Sequence, residues 1–110
     1  MNTDDAVVNL FALAHPGRLA MYQVIVAAGT GGIAAGQVAR AVNMPANTAS
    51  THLSIMTGAG LLSAHREGRS IIYSADMAHF SQMIGFLLKD GAQGRPEAYE
   101  SLRAWLKQNA

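Results

Sequence analysis

Cysteine is absent from this chain of 110 residues. Every disulfide framework and every thiolate metal site is thereby excluded. Acids are scarce and mostly terminal, with Glu67 the single one between Ala6 and Ala75. No paired carboxylates, no Ser-His-Asp set and no thiol nucleophile can be assembled, so an enzyme has little support. No apolar run approaches the length of a membrane span, and the opening MNTDDAVVNL carries two acids and no base, unlike a targeting segment. A soluble cytoplasmic protein is expected. The glycines of Gly29-Thr30-Gly31-Gly32 are followed by Ile33-Ala34-Ala35 and not by the Lys and Ser or Thr of a phosphate-binding loop, so this reads as a flexible loop.

What is present concentrates in residues 36–75. A short helix from about Gly36 to Val42 has Val38, Ala39 and Val42 inward. Asn43-Met44-Pro45 breaks it, and a second helix is expected to start at about Pro45. At 100° per residue Ala49, Leu53 and Met56 share one face of that helix, with Asn47, Thr51 and Ser54 opposite and Thr48 and Ser50 on the flanks. A helix that only meets water usually carries Lys and Glu. Small hydrogen-bonding side chains suit a helix that enters a major groove and touches base edges and phosphates. The alternative is an ordinary surface with few charges.

Gly58-Ala59-Gly60 ends this helix. Two strand-like runs follow, Leu61 to Arg66 and Ser70 to Ser74, joined by Glu67-Gly68-Arg69. Arg66 and Arg69 flank the tip, and two guanidiniums beside a polar helix can grip phosphate or a minor groove. The net charge is only +1, but residues 6–75 carry +3 and the remainder −2. The positive part lies in the segment proposed to meet nucleic acid.

Around this centre, Thr3 is expected to cap a first, amphipathic helix with Asp4 and Asp5 in its opening turn and Val7, Leu10, Phe11 and Ala14 as its apolar stripe. His15 precedes a second helix, Pro16 to Ala28, that is apolar nearly all round and therefore central to a core. His15 reads as a cap or surface histidine. Asp76 caps a long helix with a stripe of Met77, Phe80, Ile84, Leu87 and Leu88, widened by Met83, which serves either as a dimer seam or as a last core helix. Gly91-Ala92-Gln93-Gly94 breaks it, and Pro96 starts a final helix with Tyr99, Leu102 and Leu106 on one side and Trp105 beside them. The six methionines read as core filler. His15, His52, His65 and His79 lie on different elements without short ligand spacing.

Ala14-His15-Pro16-Gly17-Arg18-Leu19, Val38-Ala39, Thr48-Ala49-Ser50-Thr51-His52-Leu53, Gly58-Ala59-Gly60-Leu61-Leu62 and Arg66-Glu67-Gly68-Arg69-Ser70-Ile71-Ile72-Tyr73, in this order and spacing, resemble the ArsR/SmtB-type winged-helix transcriptional repressors over residues 8–76. The resemblance implies a mostly α fold with a small β-hairpin: a winged helix-turn-helix of five to six helices plus a two-stranded wing. A single domain over residues 1–110 is expected, with the helix-turn-helix at 36–58, the wing at 61–75 and dimerisation helices at 1–14 and 76–108. The implied function is a homodimeric repressor of double-stranded DNA with an inverted-repeat operator. The DNA-binding candidates are Asn47, Thr48, Ser50, Thr51, His52, Arg66 and Arg69. Arg18, in the Pro-x-Arg-Leu signature, either pairs internally or meets the DNA backbone, and the internal role is favoured.

The family's metal sites do not map onto this chain. The cysteine pair of the first helix of the helix-turn-helix falls on Ala34 and Gly36, and the carboxylate and histidine site on the long helix falls on Asp76, Ala78, Lys89 and Ala92. The stretch from Lys89 to Tyr99 resembles the segment of arsenite-sensing members, with Gly91, Ala92 and Tyr99 where the thiols would stand. Arsenite needs soft thiolates. No cofactor or metal is expected, and release would depend on a non-thiolate effector or on none. The alternatives are a winged-helix module that binds protein and a histidine-based metal-responsive repressor.

Overall fold

Helix boundaries here follow from local capping chemistry. In the computed structural model, which describes the backbone of residues 1–90 and 95–110 and all their side chains except those of Lys89 and Asp90, α1 spans Thr3–Leu13. Its cap is Asn2 and not Thr3. Asn2 Oδ1 accepts from the Asp5 N–H at 2.8 Å, and the Asp5 carboxylate accepts from the Asn2 N–H at 3.3 Å, a reciprocal box that begins the helix one residue earlier than the sequence suggests. Helix α2, Pro16–Ala28, has Pro16 at its first position and His15 as its cap.

The two helices of the helix-turn-helix are α3, Ala35–Ala41, and α4, Ala46–Gly58. Both end in the same way. After α3, Asn43 takes a left-handed φ of 54° while the Asn43 and Met44 N–H groups donate to the carbonyls of Arg40 and Ala39. After α4, Gly60 takes φ 87°, and Gly60 and Leu61 donate to Thr57 and Met56. These paired bonds satisfy carbonyls that a helix end leaves orphaned. Pro45 precedes α4 as its cap residue rather than opening it.

The sheet has three strands, one more than the hairpin expected. Strand β1, Ile33–Ala34, pairs antiparallel with β3, Ser70–Ala75, which also pairs with β2, Leu62–Glu67. The turn between β2 and β3 is two residues, Gly68-Arg69, because Glu67 pairs with Ser70. Two residues are too short a signal for periodicity to reveal β1. Gly32, at φ 79°, lets it approach: a Cβ there would lie 2.8 Å from the Tyr73 carbonyl oxygen.

Core residues Met21, Ile25, Val38, Leu53, Met56 and Leu61 from α2, α3, α4 and the start of the wing are completely buried. The predicted face of α4 is thus inward, and α2 is central. The apolar stripe of α1 faces solvent: Ala6, Asn9 and Ala12 face the body, while Val7, Leu10 and Phe11 are exposed. Helix α5, Met77–Gly85, continues as a wider π-helical turn, Phe86–Asp90. Asp76 caps α5 as expected, accepting from the His79 N–H at 3.0 Å. Met83 is its buried residue, whereas Met77 and Leu87 are open. Helix α6, Pro96–Asn109, buries none of its residues fully. The expected break at Gly91–Gly94, and most of the frame compared with arsenite sensors, lie outside the described residues.

Candidate nucleic-acid interface

Helix α4 turns Ala49, Leu53 and Met56 into the core, and this leaves Asn47, Thr48, Ser50, Thr51 and Ser54 in solvent. None of these is charged. Two already make local bonds: Asn47 Oδ1 accepts from the Thr48 N–H at 3.0 Å, and Thr51 Oγ1 donates to the Asn47 carbonyl at 3.2 Å. The Asn47 amide therefore keeps two free N–H donors, and Thr51 keeps its acceptor lone pairs. Bidentate pairing of Asn47 with adenine would use one N–H donor and the second lone pair of Oδ1.

His52 is half-buried on the edge of this face, where it meets Arg18. Arg18 is buried at 8% exposure. Its Nε donates to the Ala12 carbonyl at 2.6 Å, its Nη2 to the Phe11 carbonyl at 3.4 Å, and its Nη1 lies 3.2 Å from His52 Nδ1. The internal role is therefore the one it takes. The guanidinium caps the negative end of α1 and ties that helix to α4. A guanidinium only donates, so His52 Nδ1 is the acceptor and the neutral ring carries its proton on Nε2. Desolvation first, then His15 and Arg18, hold the His52 imidazole below its usual pKa. Among the described residues no carboxylate pairs with Arg18. Its positive charge, balanced by the carbonyl end of α1 and not by a carboxylate, lies beside the middle of α4.

The wing protrudes. Of β2 only Leu62 is buried, and Ser70 and Ile71 of β3 are exposed. Arg69 sits in the turn and Arg66 on β2 opposite Ile71, both exposed. Gly68, at φ 61°, takes the first central position of the turn, the geometry that matches strand twist. His65 Nε2 and Glu67 Oε1 are 3.0 Å apart on the face of β2 that alternates with Arg66, so the single acid of this region is engaged away from the arginine.

Three features escaped the sequence reading. Ile55, 38% exposed, extends the outer face of α4 one turn beyond Thr51, where an apolar group can meet a thymine methyl. His15 does more than cap: its ring lies 4.6 Å from that of His52, centroid to centroid. Asn9, 2% exposed, donates to the Asp5 carbonyl and receives His79 Nε2 at 2.7 Å, which joins α1 to α5. A lone polar residue inside an apolar stripe was the available signal for Asn9. Among the described residues, no three His, Asp or Glu side chains come together to hold a metal ion.

Comparison with known proteins agrees with this geometry. A family model described as a helix-turn-helix domain matches residues 13–63. The HTH-type transcriptional regulator YgaV of Escherichia coli K12 is 32% identical over 73 residues, 66% of this chain and 72% of that protein. Among solved structures, an ArsR-like transcriptional regulator from a Rhodococcus species superposes with a TM-score of 0.73 at 21% identity, covering 97% of this chain and 93% of the other, a likeness of fold. A homodimeric winged helix-turn-helix DNA-binding domain from Mycobacterium bovis, described as a possible ArsR-family regulator, is 28% identical with a TM-score of 0.62 over 76% of this chain and 78% of its own. With a winged helix-turn-helix, an uncharged outward α4 face and these relatives, the chain belongs to the ArsR-type winged-helix DNA-binding transcriptional regulators and is not an enzyme.

Proposed function

We propose that the chain is a sequence-specific repressor that binds an inverted-repeat operator as a homodimer, with one α4 per subunit in successive major grooves and the wings reaching outward. The observation that carries this reading is the outer face of α4, which is polar, uncharged, and covered by nothing else in the described chain. Asn47, Thr48, Ser50 and Thr51 are its base-reading and phosphate-touching residues. His52 donates to phosphate through Nε2, and Arg66 and Arg69 hold the flanking backbone or minor groove.

A second copy is the partner suited to the opposite side. Val7 and Phe11 of α1 are 57% and 70% exposed, and Trp105 of α6 is 60% exposed. Two open apolar grooves of about 500 and 550 Å³ share Met77 and Phe80, with Leu13 of α1 lining one and Leu102 and Leu106 of α6 lining the other. Open apolar surface of this extent marks an interface, and the Mycobacterium bovis relative is itself described as homodimeric. Without thiols, release depends on a non-thiolate effector or on none.

The test is a titration of duplex DNA across a salt series. Arg69→Ala weakens binding to every sequence and lowers the slope of log affinity against log salt by about one. Asn47→Ala costs about 1–3 kcal/mol on the preferred sequence and relaxes the preference at one base pair. Wild-type affinity in both variants rejects this surface.

A further inference from the structure

We propose that His15 and His52 together form a docking point for one backbone phosphate of the bound duplex, with Arg18 as the positioning residue behind them. This rests on the reading of α4 as the helix that meets DNA, and it assigns a contact to a residue outside the helix-turn-helix.

The geometry is fixed from one side. His15 Nδ1 accepts from the backbone N–H groups of Gly17 at 3.0 Å and Arg18 at 3.4 Å, and His52 Nδ1 accepts from Arg18 Nη1 at 3.2 Å. All of these are obligate donors, so both neutral rings carry their proton on Nε2. The ring centroids are 4.6 Å apart and the planes tilted by 39°. Each Nε2–H points away from its own Nδ1 partner, that of His15 from the first turn of α2 and that of His52 from the Arg18 guanidinium. Neither Nε2 has a hydrogen-bond partner among the described residues, and neither is shut off from solvent. Two N–H donors on neighbouring rings, neither with an internal acceptor, can serve the two non-bridging oxygens of one phosphodiester.

The charge favours an anion over a cation. Arg18 lies within 3.2 Å of one ring and is anchored by the Phe11 and Ala12 carbonyls, with no carboxylate pairing among the described residues. A metal ion would meet that charge and find no third ligand there among the described residues. An incoming phosphate meets donors whose tautomers are already set, so little reorganisation opposes binding. The duplex is the source favoured here because His52 stands on α4 itself, beside Thr48 and Thr51, which are exposed.

His15→Asn separates this role from the structural one, since Asn is among the strongest helix caps but has no second ring nitrogen. A duplex selected by the wild-type protein from a random pool is the probe, together with versions carrying single uncharged methylphosphonates. The variant is expected to keep the wild-type thermal midpoint and to bind roughly five- to tenfold more weakly on selected and unrelated duplexes alike. One methylphosphonate per half-site should weaken the wild type and leave the variant almost unaffected. Equal affinity of variant and wild type, or equal methylphosphonate penalties in both, overturns the proposal. If the wild type binds no duplex, the DNA reading falls and takes this site with it; if it binds and His15→Asn matches it, only this site falls. Inorganic phosphate supplies the last arm: imidazole NMR signals that move with duplex but not with millimolar phosphate support a DNA contact, and saturation by free phosphate at micromolar concentration overturns it.

Discussion

The middle of the chain, from α2 to β3, and its flanks, α1, α5 and α6, place their apolar side chains in opposite ways. The middle buries its large side chains and shows the solvent small polar groups: Leu53 and Met56 are fully buried beneath an exposed Asn47, Thr51 and Ser54. The flanks do the reverse. In α1 the alanines and Asn9 face inward, and Val7, Leu10 and Phe11 face out. The lesson is that an apolar stripe announces a contact without saying whether its partner lies in the same chain. In the middle the partner is the chain's own core, and on the flanks a second copy is the proposed one.

If the comparison holds, equal truncations on the two sides have unequal effects. Leu53→Ala is expected to cost about 2–5 kcal/mol of folding stability, since it opens a cavity under α4; urea denaturation measures this. Gly60→Ala comes next, at about 1–3 kcal/mol. Gly60 holds φ 87°, and an added Cβ would stand 2.7 Å from the His79 ring that donates to Asn9, so the loss reports on the joint between the two regions. Leu10→Ala, 42% exposed, should cost less than about 1 kcal/mol within a subunit and instead raise the dimer dissociation constant, read by sedimentation equilibrium. A Leu10→Ala loss as large as that of Leu53→Ala, with association unchanged, would erase the distinction.

The smallest expected effect is that of pH. The His52 pKa is lowered from 6.5 in the folded chain, chiefly by desolvation and then by His15 and Arg18. Above pH 6.5 both folded and unfolded forms are neutral and the group costs nothing. As pH falls below 6.5 the unfolded chain takes up the proton first, so stability declines until the folded value is reached, and then levels off. The urea midpoint should therefore drop between pH 7.5 and 5.5, and less so in His52→Gln.

How much of this was legible in the sequence follows the same division. Periodicity placed Ala49, Leu53 and Met56 correctly because their burial is decided by elements close in sequence. It found the stripe of α1 without fixing which way it points, since spacing does not say where the partner lies, and it gave no hint of β1, whose two residues pair with β3 through a contact nearly forty positions away. Of the candidate interface, the exposed residues of α4 and the wing arginines could be named from composition and spacing. The Arg18–His52 bond and the His15 ring beside it could not, because they join α2 to α4 across tertiary space. Asn2 rather than Thr3 caps α1 because two Asx-type side chains three residues apart can satisfy each other's N–H, a choice that local propensity leaves open.

The most direct test of the central claim is amide chemical-shift mapping of the protein as a selected duplex is added. The account predicts changes concentrated on Asn47, Thr48, Ser50, Thr51 and Ser54, with a second group at Gly68-Arg69, and little change along Val7, Phe11 and Trp105. Changes centred on that apolar side, with α4 and the turn unmoved, would contradict it.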